Sequence, residues 1–219
     1  MNAGIGRGAK ILDACGLRLM IFPDVYEPAE DSMLLAGCAA KLKGRVLDMG
    51  CGSGLVGLAC AKGSPENRVV CADLNQGAVE NARANAEQNR IANVEFVLTD
   101  LFSKIKKEPK FDAIVFNPPY LPTAENERVR GKLNLAFDGG KNGRKVTDRF
   151  LAAFPRFLKK DGKLLLVESS LAGIEKTVAK LGGMGFGARI LGEEKFFFER
   201  IVVIEAKRRS GKRAAGRTN

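Results

Sequence analysis

Val46-Leu47-Asp48-Met49-Gly50-Cys51-Gly52-Ser53-Gly54 opens as an apolar run, then places glycine at every second position. A run this short, followed by Leu55 to Lys62 with helical character, predicts a buried strand, a glycine loop and a helix. Outward from it the chain alternates. Arg68-Val69-Val70-Cys71-Ala72 is a second strand ending at Asp73, Ala78 to Gln88 a helix, Val94 to Leu98 a third strand, and Phe111 to Phe116 a fourth. Further on come a helix over 146–158, a strand over 162–167, a helix over 171–181, and two closing strands over 186–191 and 196–206. Upstream, Glu30-Asp31-Ser32 suits the first turn of a helix running through Leu42, and Leu17 to Phe22 suggests a short strand or hairpin. Alternating strands and helices predict an α/β fold with a doubly wound, mostly parallel seven-stranded sheet whose last strand is antiparallel. The Phe196-Phe197-Phe198 run is read as core of the final strands.

Composition narrows the chemistry. The chain has 219 residues, no histidine and five cysteines without a C-x-x-C. A histidine base, a histidine triad and most zinc sites are therefore excluded, and no metal site is expected. The thiols suit a reduced, cytoplasmic setting. No apolar run reaches membrane-spanning length, and the N-terminus lacks a signal-peptide pattern. The formal net charge is +11, with six cations and no acid between Lys207 and Arg217. Residues 1–22 read as an N-terminal extension, 23–206 as the folded domain, and 207–219 as a basic disordered tail that leaves nucleic acid open as a partner.

Ligands of doubly wound sheets bind beyond the carboxyl ends of the strands. Those ends carry Asp48 with Gly50 and Gly52, then Asp73, then Thr99-Asp100-Leu101, then Asn117-Pro118-Pro119-Tyr120. The glycine spacing is neither the dinucleotide fingerprint nor a P-loop. Asp48 puts negative charge where a pyrophosphate would lie, which favours a ligand with a cationic end. Asp73 follows at the spacing where an acid meets a ribose hydroxyl pair, and Asp100 can accept from an exocyclic amine. Together they describe S-adenosylmethionine. The two prolines remove backbone donors, and Asn117 brings a carboxamide oxygen beside free carbonyls. Such an acceptor cluster suits a planar –NH2, and taken alone it leaves adenine N6, cytosine N4 and glutamine N5 open.

The constellation resembles the class I, Rossmann-like S-adenosylmethionine-dependent methyltransferases. Two more stretches, Asp24 to Ser32 and Gly139 to Phe150, resemble the HemK family of protein glutamine N5-methyltransferases, in the archaeal and eukaryotic branch that modifies the Gly-Gly-Gln loop of class-one release factors. The resemblance spans roughly residues 20 to 205. It implies that Asp48 and Gly50 contact the methionine portion of the donor, Asp73 the ribose, and Asp100 and Leu101 the adenine, with Ser32 reaching the donor from the opposite side. It also implies that Asn117 and the Pro118 carbonyl hold the glutamine amide beside Pro119, that Tyr120 shapes the pocket, and that a small zinc-binding activator protein is a partner. The alternative is an adenine or cytosine amino-methyltransferase acting on RNA or DNA. The polar segment Leu121 to Lys145 is read as a lid.

Overall fold

The computed structural model describes residues 9–123 and 136–209. A hairpin of β1 (Lys10–Ala14) and β2 (Leu17–Ile21) precedes α1 (Glu30–Ala39). The alternating unit follows: β3 (Arg45–Met49), α2 (Leu55–Gly63), β4 (Arg68–Asp73), α3 (Gln76–Gln88), β5 (Val94–Leu98) and β6 (Phe111–Phe116). It closes with α4 (Lys145–Ala153), β7 (Leu158–Ser169), α5 (Ile174–Gly183), β8 (Phe186–Lys195) and β9 (Arg200–Arg208). The seven-stranded sheet has the order β5-β4-β3-β6-β7-β9-β8. Neighbours are parallel except β9, which runs antiparallel to both β7 and β8.

Side chains alternate across the pleat and feed two cores. Val46 and Val115 point to a layer with Leu35, Leu58 and Ala82, under α1, α2 and α3. Leu47, Ile114 and Phe116 point to the other face, where Phe150, Leu151, Ile174 and Leu181 of α4 and α5 cover them. Both faces are covered, so the strands read as nearly continuous apolar runs.

The hairpin is fastened in a way that residue type alone does not announce. The β2 edge and the residue after it are hydrogen-bonded by asparagines of α3 and its C-cap: Asn81 Oδ1 accepts from Phe22 N at 2.9 Å, Asn85 Oδ1 from Met20 N at 2.7 Å, and the C-cap Asn89 Oδ1 from Arg18 N at 3.0 Å. Their amide nitrogens donate back to the Met20 and Arg18 carbonyls. Four helical residues rise about 6 Å and two strand residues about 6.6 Å, so the two periods match over this length. The ladder covers an otherwise open strand edge, and Leu17 and Leu19 enter the core beneath it.

Some boundaries differ from those read from sequence. Pro155 helps turn the end of α4 into a 3-10 turn, Phe154–Arg156, so the helix stops before residue 158. The Phe196-Phe197-Phe198 run is not core: β8 ends at Lys195, and Phe197 and Phe198 are 92% and 84% exposed in the turn before β9. Lys207 and Arg208 complete β9 rather than beginning a tail. The tail from residue 210, and lid residues 124–135, lie outside the described residues. Among the described residues no helix is long and apolar enough to cross a membrane.

Candidate active site

Chain order reverses between β3 and β6, which is where an open α/β sheet binds ligands. Met49 and Phe116 are paired across these strands, so the glycine loop and Asn117-Pro118-Pro119-Tyr120 leave the sheet side by side. They open into a cavity of about 530 Å³, a size suited to a small-molecule cofactor. Every sequence-predicted site residue lines it: Ser32, Asp48, Gly50, Gly52, Asp73, Asp100, Leu101, Asn117, Pro118, Pro119 and Tyr120.

On one side, Gly50, Gly52 and Gly54 all have positive φ, a conformation that permits the tight loop. At Gly52 nothing among the described residues beyond its chain neighbours stands within 4 Å of where a Cβ would sit, so backbone is open to a ligand there. Asp73 holds this loop, accepting from Gly52 N at 2.9 Å and Asn75 N at 2.8 Å. Burial raises its pKa. Asp48 is wholly buried and accepts from Gly57 N, in the first turn of α2, at 2.8 Å. Burial pushes its carboxyl up to about 7, against the lowering effect of the Gly57 N–H, with Asp73 adding to the rise. Asp48 is thus a poised acid that a bound cation would ionise, rather than a fixed charge. Asp100 pairs with Arg149 at 2.7 Å on the rim. Leu101 has φ 46°, an unusual backbone state for a branched apolar residue. The turn around it is braced by the Thr99 hydroxyl, which donates to the Leu101 carbonyl at 3.0 Å and accepts from Lys104 N.

On the other side the organising group is Asp31, which sequence reading treated only as a helix-start residue. It is 4% exposed and sits in the first turn of α1. Its Oδ1 accepts from Tyr26 Oη (3.1 Å), Ser32 N (2.6 Å) and Ser32 Oγ (3.1 Å). Its Oδ2 accepts from Asn117 Nδ2 (2.9 Å) and Tyr120 Oη (3.0 Å). The second amide hydrogen of Asn117 reaches Ser32 Oγ at 3.3 Å. A carboxylate only accepts, so it forces the Asn117 nitrogen toward itself and fixes which way the amide faces. Asn117 Oδ1 is then buried without a partner among the described residues. Both tyrosine hydroxyls are shifted upward, first by burial and then by the adjacent Asp31, and remain protonated donors. The signal that could have found Asp31 was its place beside Ser32 at a helix start facing the cavity; nothing in the sequence says that two tyrosines and an asparagine converge on it.

The described ends of the lid are tied to this motif. Gly139 N donates to the Leu121 carbonyl at 3.0 Å and Thr123 N to the Gly140 carbonyl at 3.1 Å. Phe137 meets the Tyr26 ring edge-on at 5.3 Å. Arg144, in the same stretch, points away from the cavity into a buried cluster with Glu168, Thr177 and the Ala172 carbonyl.

Among the described residues, the cavity wall carries eight carboxylates (Asp24, Glu30, Asp31, Asp48, Asp73, Asp100, Asp138, Glu199) against two cations, Lys145 and Arg149. On a chain of net charge +11 this is a local inversion of sign. It fits a donor with cationic ammonium and sulfonium centres and no phosphate, and the unpartnered Asn117 oxygen fits an amide acceptor.

Fold and site together define a class I methyltransferase using S-adenosylmethionine. Residues 29–133 match the methyltransferase small domain family. The chain is 44% identical over 199 residues to a Methanocaldococcus jannaschii protein named as a protein N5-glutamine methyltransferase, MJ0928, covering 90% of this chain and 99% of that one. It is 36% identical to mouse methyltransferase HEMK2, over 87% and 89% of the two chains. Among solved structures it resembles the E. cuniculi Mtq2–Trm112 complex, responsible for methylation of the eRF1 translation termination factor, with TM-score 0.65 and 30% identity over 85% of this chain and 100% of that one. The chain belongs to the HemK family of protein N5-glutamine methyltransferases.

Proposed function

We propose that this enzyme methylates the side-chain nitrogen of the glutamine in the Gly-Gly-Gln motif of a class-one translation release factor, in the cytoplasm, with a small zinc-binding protein as activating partner. The methyltransferase unit is assigned to residues 23–206, with β9 running on to Arg208 and the β1–β2 hairpin packed into the same core. The observation that carries the reading is the unpartnered Asn117 Oδ1, aimed by Asp31 and Ser32. The partner rests on the family relation and on Trm112 being bound to Mtq2 in the related complex.

A carboxamide nitrogen is a poor nucleophile because its lone pair is delocalised. Asn117 Oδ1 and the Pro118 carbonyl accept from its two hydrogens, holding the –NH2 in one orientation and raising its electron density. Positioning of this kind lowers barriers by several kcal/mol, up to about 7–11 in ideal cases. When bound, S-adenosylmethionine supplies the electrophilic methyl and a neutral thioether leaving group; the nitrogen that gains the methyl sheds one of its two hydrogens as a proton to solvent after transfer. The Gly52 backbone, Asp73 and the turn at Leu101 hold the donor, and Asp48 takes its cationic end. Tyr26, Tyr120 and Phe137 wall the acceptor side against water.

Nucleic-acid amino methylation is disfavoured by the acidic cavity wall, since phosphodiesters are bound by cations. Labelled S-adenosylmethionine offered with a release factor, and with the same factor carrying Gln→Ala in Gly-Gly-Gln, tests the assignment. Label confined to the glutamine-bearing factor is expected; equal labelling of both overturns it.

A further inference from the structure

The turn between β8 and β9 presents two large aromatic side chains where turns ordinarily place small or polar residues. Phe196 N donates to the Glu199 carbonyl at 2.7 Å and closes the turn, leaving Phe197 and Phe198 at its two central positions. Their rings meet edge-on at 4.5 Å, and both are almost fully exposed. Neither packs into the two cores, so folding does not account for them. The base of the turn, Phe196 and Glu199, lines the methyl-transfer cavity, and Ser169 Oγ holds Glu199 at 2.5 Å.

A second, shallower cavity of about 410 Å³ lies between the start of α1 and β8, lined by Pro28, Ala29, Glu30, Met33, Leu34 and Glu194. Pro28, Ala29 and Glu30 also line the first cavity, so the two adjoin across the start of α1. The charged residues on this groove are carboxylates, with no cation among the described lining residues.

We infer that the Phe197–Phe198 turn and the α1–β8 groove form the docking surface for the polypeptide flanking the acceptor glutamine, and that this flank is neutral to basic. The assignment rests on the release-factor reading and extends it from the reacting side chain to the chain that carries it. The groove adjoins the cavity at Pro28, Ala29 and Glu30, and the base of the turn lines it, so a chain seated there lies beside the reacting glutamine. Aromatic side chains at an interface contribute large contact area at low entropy cost, and the acidic groove repels a phosphodiester while attracting lysine and arginine.

The test is steady-state methyl transfer to an intact release factor by the wild type, by Phe197→Ser/Phe198→Ser and by Glu194→Lys. None of these side chains touches the donor site, so donor affinity and thermal midpoint should be unchanged and report correct folding. The double variant should raise KM for the factor about tenfold or more, with kcat within about twofold. Glu194→Lys should raise KM severalfold and weaken its dependence on salt. If both variants keep the wild-type KM, the docking assignment is wrong while the glutamine reading stands. If the double variant instead loses activity on RNA or DNA alone, the turn serves nucleic acid and the assignment is overturned. If the wild type labels no release factor with the zinc-binding partner present, both readings fall.

Discussion

Asn117 Nδ2 stands 2.9 Å from Asp31 Oδ2, joining a strand end to a helix start 86 residues away in sequence. The bond sets the orientation of the amide that receives the acceptor, because only its nitrogen can face a carboxylate. Asp31→Asn keeps the volume but offers an –NH2 of its own, so the Asn117 amide is no longer held one way round. We expect kcat to fall about a hundredfold, as for misplacement of a reacting group by an ångström, with donor affinity little changed. Single-turnover rates with calorimetric donor binding check it; equal losses in both would assign Asp31 to donor binding.

Asn117→Ala separates enzyme from binding scaffold. Asp31 retains its contacts with Tyr26, Ser32 and Tyr120, so the pocket wall stays in place. Methyl transfer should drop by at least about a hundredfold, and S-adenosylmethionine should still bind. Retained turnover would remove Asn117 from the acceptor role.

Asp48 gives a pH signature. Its folded pKa, about 7, lies above its unfolded value near 4. Between these values the folded protein keeps a proton that the unfolded chain sheds. The contribution of Asp48 to stability is therefore largest below about pH 4, falls as pH rises toward 7 and is flat beyond, while Asp112, Asp148 and Glu205, held low by their cations, contribute in the opposite sense as pH falls. Burial shifts Asp73 the same way as Asp48. A cationic donor favours the ionised form, so donor affinity should rise from pH 5 to 7 and then level, with proton release seen by calorimetry in buffers of different ionisation enthalpy. Asp48→Asn should weaken binding and remove most of that slope. An unchanged slope would place the titrating group elsewhere.

What the sequence made legible is what lies along one segment. Strand–glycine loop–helix, the acids at successive strand ends and Asn117-Pro118-Pro119-Tyr120 are local patterns, and the structure places them around one cavity. What it hid is what depends on distant partners. Asp31 receives Tyr26 from nearby, but Asn117 and Tyr120 from across the sheet. Asn81, Asn85 and Asn89 look like a polar helix face until β2 is laid against them. Phe196-Phe197-Phe198 reads as core because aromatic runs usually are; only the position of the turn exposes them.

Arg144 shows a residue of the resembling stretch serving the fold rather than the chemistry. Its guanidinium is buried against Glu168 at 3.5 Å, and Glu168 is fully buried. Arg144→Ala leaves that carboxylate without its cation, and loss of one partner of a buried pair costs about 3–5 kcal/mol. Thermal denaturation should show a drop of that size, and Arg144→Ala/Glu168→Gln should recover a good part of it. A drop in activity with full stability would contradict this.

Two glycines separate the two halves of the reaction. At Gly143, φ is +71° and a Cβ would come within 2.3 Å of the Tyr120 carbonyl and 3.0 Å of Ala172 Cβ. Something must move, and the Tyr120 carbonyl belongs to the acceptor motif. At Gly52, φ is +54°, but an added Cβ meets no atom of the described residues within 4 Å beyond its chain neighbours. It costs only backbone strain, on the order of 1 kcal/mol, and stands where the donor approaches. Gly143→Ala should therefore lower kcat, with donor affinity near wild type, and Gly52→Ala should weaken donor binding severalfold or more while saturating donor restores much of kcat. Donor titrations at fixed acceptor distinguish them. The reverse pattern would exchange the two walls of the cavity.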